Sequence, residues 1–188
     1  MTMTENICVY CGSSSGENPS YMSAGTQLGE AIVEAGMGLV YGGATIGVMG
    51  AVARAVTSGK GPVIGVIPEF LFTAEIPYTD ASELIVTKDM HERKQIMYDR
   101  SCAFVALPGG IGTLEELMEM MTWAQLGRHR HPIIIANIDG FWDSLLALFD
   151  HMLENGFVRP SLHQLFHVVN DAQEIVPLVR RLSSTSID

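Results

Sequence analysis

The chain has 188 residues, of which 47% are hydrophobic and 17% charged, and its formal net charge is −10. No more than two of its 11 Lys and Arg residues stand side by side, so the basic surface that unspecific nucleic-acid binding requires is not expected. No apolar run approaches the roughly 20 residues that cross a bilayer. Residues 1–6 lack the pattern of a signal peptide, and three cysteines suit a reducing compartment, so we expect a cytoplasmic protein of one domain.

Short apolar runs alternate with helical patterns along the chain. The strand-like runs are Asn6–Cys11, Gly38–Tyr41, Pro62–Ile67, Leu84–Thr87, Cys102–Leu107, Pro132–Asn137 and His167–Val169. The helix-like segments are Ser20–Ala35, Val48–Ser58, Met90–Arg100, Gly112–Leu126, Phe141–Asn155 and Ala172–Leu182. Strands that are apolar on both faces and separated by helices predict an α/β fold, a Rossmann-like, doubly wound parallel sheet with helices on both faces.

Two regions fall outside this alternation. Residues Glu69–Ser82 have little periodicity, and we expect them to form a flap over the edge of the sheet where the strands end. The polar tail Ser183–Asp188 is expected to fray.

Cys8 and Cys11 form a Cys-x-x-Cys pair, which is compatible with a redox or zinc site. Cys8 lies in the first apolar run, and neither a second Cys-x-x-Cys nor a nearby His pair accompanies it. The residues therefore favour a buried structural cysteine.

Three strand-to-helix loops at the carboxyl edge of the predicted sheet are rich in glycine, namely Cys11–Gly16, Tyr41–Gly47 and Pro108–Glu116. A single loop of this kind can be a simple turn, but three at one edge favour a ligand. The first loop does not have the dinucleotide spacing Gly-x-Gly-x-x-Gly, and Tyr41-Gly42 stands where that motif needs an acid. The P-loop pattern is absent as well, so a nicotinamide enzyme or an NTPase is disfavoured.

The third loop reads Pro-Gly-Gly-Ile-Gly-Thr-Leu-Glu-Glu, between an apolar run and an amphipathic helix. Glycines and the unpaired N–H groups of a first helical turn form a site for an anion such as phosphate. We expect Glu115 and Glu116 within that first turn, where phosphate binding does not need acids, so we expect chemistry beside the phosphate.

A second charged motif, Met90-His91-Glu92-Arg93-Lys94, begins the helix after the fourth strand. Adjacent cations at a helix start oppose the helix dipole, so either the segment is a solvated helix start or Arg93 and Lys94 serve an anionic ligand. His91 alone is more typical of a structural residue.

Taken together, Pro-Gly-Gly-x-Gly-Thr-x-x-Glu at 108–116 and Met-His-x-Arg-Lys at 90–94 resemble the Lonely Guy phosphoribohydrolase family. Matches at 11–16, 41–43, 47–50 and 122–127 extend the resemblance over nearly the whole chain. Ala44 departs mildly from it, since relatives commonly have Gly there.

The resemblance implies an enzyme that hydrolyses the N-glycosidic bond of adenosine-type nucleoside 5′-monophosphates, AMP or cytokinin riboside 5′-monophosphates, without a cofactor or metal. It implies that Arg93 and Glu116 are the catalytic pair. The residues that it implies for phosphate and substrate binding are Gly12, Ser13, Gly43, Glu75, Met90, Lys94, Gly109, Gly110, Ile111, Gly112, Thr113, Glu115 and Thr122.

The resemblance also implies a homodimer whose active sites lie near the interface, while a core helix is the alternative explanation for the apolar segment Leu114–Leu126. Two other functions stay open, a non-catalytic carrier of a nucleotide or of molybdenum cofactor, and a dinucleotide-dependent oxidoreductase. The label lysine decarboxylase, often given to this family, is disfavoured because none of the three lysines (Lys60, Lys88 and Lys94) has a pyridoxal-phosphate context.

Overall fold

The structure, a computed structural model, describes residues 5–72 and 80–185. Seven strands form one parallel sheet: β1 Asn6–Tyr10, β2 Gly38–Tyr41, β3 Val63–Pro68, β4 Glu83–Thr87, β5 Ala103–Ala106, β6 Ile133–Ala136 and β7 His167–Val169. Their order across the sheet is β4-β3-β2-β1-β5-β6-β7. The chain therefore builds outward from β1 to one edge, returns to the centre at β5 and continues to the other edge, which confirms the predicted doubly wound sheet.

The helices are α1 Pro19–Glu34, α2 Gly47–Ser58, the short α3 Glu69–Phe72, α4 Met90–Asp99, α5 Ile111–Gln125, α6 Asp143–Glu154 and α7 Ile175–Thr185. Within the described ranges, none of them is long and apolar enough to cross a membrane. Two predicted helices need correction. Helix α6 begins two residues after Phe141. Helix α7 begins at Ile175, three residues after the predicted start at Ala172, and continues three residues beyond Leu182, so the start of the tail that we expected to fray is helical.

The core has two layers because strand side chains alternate between the faces of the sheet. On one face, Ile7 and Val9 of β1 pack with α1, α2 and α7, and on the other, Cys8 and Tyr10 pack with α4, α5 and α6. Cys8 and Cys11 thus belong to opposite layers as free thiols, and burial raises the pKa of both. Cys8 is a core residue, as expected.

Strand β1 is the central strand that positions the site. Val9 pairs with Tyr41 of β2 on one side and with Val105 of β5 on the other. Because the three strands run in parallel, the loops that follow them emerge together at one edge, where the strand order reverses.

Candidate active site

The loops after β1 and β5 are held together by their backbones. The Gly12 N–H donates to the Pro108 carbonyl at 3.1 Å, and the Met49 N–H of α2 donates to the Gly12 carbonyl at 3.1 Å. These bonds fix the glycine-rich loops as one surface beside the start of α5.

The start of α5 is open. Gly110 is its N-cap and offers no side-chain hydrogen bond, and a Cβ added at Gly110 or Gly112 would meet no atom within 4 Å. Ile111 between them is 82% exposed. The first amides of α5 are thus accessible to an anion.

Gly109 has a different role, since its neighbours leave no room for a side chain. A Cβ there would overlap the hydroxyl of the buried Thr113 and lie 2.8 Å from the Gly12 nitrogen. The glycine lets the loop lie directly on Thr113.

Arg93 and Glu116 form an ion pair next to this loop. Arg93 Nη1 lies 3.2 Å from Glu116 Oε1, and each side chain is 9% exposed. Arg93 Nε donates to the Val66 carbonyl at 3.0 Å, which anchors the guanidinium to β3. The structure thus brings together the two residues that the resemblance implies for catalysis.

Local sequence explains how α4 carries two cations near its start. The Asp89 side chain accepts from the Glu92 N–H at 2.8 Å as the N-cap, and Glu92 accepts from the Lys88 N–H at 2.8 Å. The negative charges of Asp89 and Glu92 near the helix start offset the unfavourable interaction of Arg93 and Lys94 with the helix dipole.

Glu116 is a buried acid with an unusual proton affinity. Burial raises its pKa to about 7 against the attraction of Arg93, while Glu115 and Glu119 raise the pKa and Lys94 lowers it. Glu116 therefore changes charge near neutral pH, the range in which a carboxyl group can accept and return a proton during a reaction.

Lys94 forms a second bridge between α4 and α5. Its Nζ lies 2.6 Å from Glu115 Oε1 and 3.1 Å from Glu119 Oε1. Burial alone lowers the pKa of Lys94, but the hydrogen bonds to these two acids outweigh burial and raise it.

The remaining predicted residues are distributed around this centre. Met90 contacts Arg93, with its Sδ 3.9 Å from Arg93 Nη1. Ser13 lies in the loop after β1, and Gly43, at the end of β2, has a φ of +85°. Thr122 lies apart from the centre on the exposed side of α5, and its hydroxyl donates to the Met118 carbonyl at 2.7 Å. Glu75 is outside the described residues.

Sequence reasoning missed three contributors to this arrangement, Gly42, the Val66 carbonyl and Glu119. A Cβ at Gly42 would lie 2.5 Å from Arg93 Nη2 and 2.8 Å from Met49 Sδ, so any larger residue would require these side chains to shift. The run Tyr-Gly-Gly carried that signal for Gly42, but nothing in the sequence marks the Val66 carbonyl, because every residue has one.

The order of the strands and the open loops at the reversal point define an α/β protein of the Rossmann-like class. Residues 49–179 match the family described as possible lysine decarboxylase. The chain is 47% identical over 172 residues to a cytokinin riboside 5′-monophosphate phosphoribohydrolase of Arabidopsis thaliana, an alignment covering 92% of this chain and 79% of that protein. It is 49% identical over 170 residues to a probable enzyme of the same name from Oryza sativa subsp. japonica, covering 90% and 75%. The chain therefore belongs to the Lonely Guy phosphoribohydrolase family, and the resemblance is confirmed.

Solved structures show the same fold at low identity. The Moco carrier protein of Chlamydomonas reinhardtii superposes with a TM-score of 0.74 at 22% identity, covering 97% of this chain and 99% of that one. The molybdenum cofactor binding protein of Rippkaea orientalis gives 0.73 at 21%, with the same coverage. At this identity the likeness is one of fold.

The lysines do not support the decarboxylase description of the family. Schiff-base chemistry needs a neutral amine, whereas Lys94 is held between two acids that keep it charged. Lys60 and Lys88 are exposed.

Proposed function

We propose that this protein is a nucleoside 5′-monophosphate phosphoribohydrolase. It hydrolyses the N-glycosidic bond of AMP and cytokinin riboside 5′-monophosphates to free base and ribose 5-phosphate. The observation that carries the proposal is the buried pair of Arg93 and Glu116 beside the open start of α5. The names of its relatives from Arabidopsis and rice support the same reaction.

The 5′-phosphate is the handle in this proposal. It binds the amides of Gly109–Thr113 and the Thr113 hydroxyl, and Gly12, Ser13 and Gly43 border it. Glu116 follows Ile111 by five residues, about 7 Å along the helix, which is within the length of a ribose phosphate. Binding energy from the phosphate then aligns the bond that breaks.

Glu116 acts on the sugar. Cleavage of the C1′–N bond sends its electron pair to the base and leaves an oxocarbenium-like ribose, as in glycoside hydrolysis. The Glu116 carboxylate stabilises that positive charge, and it accepts a proton from the water whose oxygen joins C1′. Arg93 clamps the nucleotide and offsets charge near the departing base, which gains a proton. Met90, Lys94, Glu115 and Glu75 contact substrate in this proposal.

The carrier alternative shares the fold but needs no turnover. Incubation with AMP and assay of free ribose 5-phosphate separates the two functions. Tight binding of AMP without product would favour the carrier. A panel that adds N6-prenylated AMP and the other nucleoside monophosphates, assayed for freed base, identifies the preferred substrate.

The catalytic assignment is tested with Glu116→Ala. We expect the turnover of AMP to fall by on the order of a hundredfold or more, the usual cost of losing an acid–base group. Glu30→Ala, which removes an exposed acid from α1 on the opposite face of the sheet, is the matched control. Nearly intact AMP hydrolysis in Glu116→Ala would refute the assignment, and equal rates on AMP and adenosine would refute the phosphate handle.

A homodimer completes the proposal. Thr122 lies about 15 Å along α5 from Gly112, too far to touch a nucleotide at the start of its own helix, so its substrate contact fits the site of a second copy. Ile111 and Leu126 expose apolar side chains at the two ends of α5, and Leu126 is 71% exposed. Such exposure is typical of an interface. The three free thiols suit work in the cytoplasm.

A further inference from the structure

Glu119 has no part in the chemistry proposed above, yet its carboxylate lies in a specific, partly buried position beside Lys94. It lies on α5 one turn beyond Glu115 and three residues beyond Glu116, so the three acids share one side of the helix. Its Oε1 lies 3.1 Å from Lys94 Nζ. Its Oε2 is buried and has no hydrogen-bond partner among the described residues. An unsatisfied buried carboxylate oxygen is costly and calls for an explanation.

Neutralising Lys94 does not explain Glu119. The shorter contact of Lys94, at 2.6 Å, is with Glu115, which alone balances one positive charge. Glu119 brings the local count to three acids against the two cations of α4. Without it, two acids would face two cations, and the attraction of Arg93 and Lys94 would hold Glu116 more firmly in its ionised form.

The groups that face Glu116 come from three elements. They are Arg93 and Lys94 of α4, Glu115 and Glu119 of α5, and Cys8 and Tyr10 of β1 with Cys11 directly after it. Burial raises the pKa of Cys8, Tyr10 and Cys11, so these three groups stay neutral and the charge balance around Glu116 is set by the two helices.

Resting on the proposed function, the geometry points to Glu119 as a positioning residue for the reaction. Its negative charge repels that of Glu116 and offsets part of the attraction that Lys94 exerts on Glu116. Glu116 is thereby kept able to accept a proton at neutral pH. It does not touch the nucleotide. The raised pKa of Glu116, to which Glu119 contributes, agrees with this role.

The test uses Glu119→Gln in the full chain, because glutamine keeps the acceptor for Lys94 and removes only the charge. The titration of Glu116 is followed by NMR of 13C-labelled glutamate carboxyls and assigned with Glu116→Gln. The pH dependence of kcat/KM for AMP is measured in parallel. We expect both titrations to move to lower pH by about half to one unit. Lys94→Gln, which removes a neighbouring cation, should move the Glu116 titration to higher pH.

If Glu119 only holds α4 and α5 together, Glu119→Gln should lower the melting temperature and the rate without moving either titration. That result would overturn the inference. Glu30→Gln is the control for removing one acid from the molecule and should leave both titrations in place. If Glu119→Gln does not fold, Lys94→Gln serves as the test instead. A Glu116 titration that stays at the wild-type pH in Lys94→Gln would then overturn the inference. A wild-type protein that releases no ribose 5-phosphate, while its Glu116 titration still moves in Glu119→Gln, would refute the proposed function alone.

Discussion

Glu116→Gln should make the protein inactive and, at alkaline pH, more stable. Burial raises the pKa of Glu116 from its ordinary value of 4.5 to about 7. Below pH 4.5 the Glu116 carboxyl is protonated in both the folded and the unfolded state, so its ionisation does not lower the free energy of unfolding. As pH rises toward 7, the unfolded chain releases the proton while the folded chain keeps it, so stability is lost through this window.

The size of the effect follows from the two pKa values. Each unit between them is worth about 1.4 kcal/mol, so the ionised carboxylate costs the folded state about 3 kcal/mol above pH 7. Glutamine resembles the protonated acid in shape and does not titrate. The free energy of unfolding of Glu116→Gln, minus that of wild type, should therefore grow by roughly 2–3 kcal/mol between pH 5 and pH 8.

Urea unfolding at pH 5, 6, 7 and 8, at one protein concentration, measures this difference. Only its change with pH matters, because any constant effect of the glutamine on packing cancels. A difference that stays flat across the series would show that Glu116 does not have a raised pKa in the folded protein, and the reasoning about its role as proton acceptor would fail with it.

Other expected outcomes concern the surroundings of this acid. Since the carboxylate is the acting form, kcat/KM for AMP should rise with pH and level off above about 7; a rate that falls across this range would indicate a general acid instead. Gly42→Ala should lower kcat/KM by about tenfold or more, because its Cβ would lie 2.5 Å from Arg93 Nη2. Gly36→Ala, strained at a φ of +67° but with no atom within 4 Å, should cost stability and leave turnover unchanged; equal rate losses in both variants would argue against displacement of the guanidinium. For the proposed homodimer, Leu126→Glu should shift the mass in light scattering from dimer to monomer, whereas Phe157→Glu, at an 86% exposed position outside α5, should not.

The fold could be predicted because its strands are apolar on both faces and its helices are not. The boundaries of α6 show where this reasoning stops. The pattern predicted a helix from Phe141, but the Asn137 side chain accepts from the Trp142 N–H at 2.7 Å and donates to Asp143 Oδ1 at 2.7 Å. This side-chain bridge holds a short turn before the helix, and hydrophobic periodicity carries no sign of it.

The site also contains residues that could be predicted from the sequence and one that could not. Arg93 and Glu116 could be proposed as a pair because the motifs that contain them resemble those of a known family, and charged residues at two helix starts had already drawn attention to both segments. Glu119 could not, since an acid one turn beyond another on an amphipathic helix is typical of a solvated face. Its partner on α4 is 25 positions earlier in the chain, and only the folded structure shows that the two meet.

The doubly wound order has a consequence for the integrity of the enzyme. Arg93 belongs to the last helix of the half that runs outward from β1 to β4, and Glu116 belongs to the first helix of the half that begins at β5. A single covalent crossing, at residues 100–102, joins the two halves. A chain severed there would hold Arg93, the proposed clamp for the nucleotide, on one fragment and Glu116, the proposed proton acceptor, on the other, so we expect hydrolysis to return only when the fragments reassemble. Turnover in such a split protein would report directly on its reassembly.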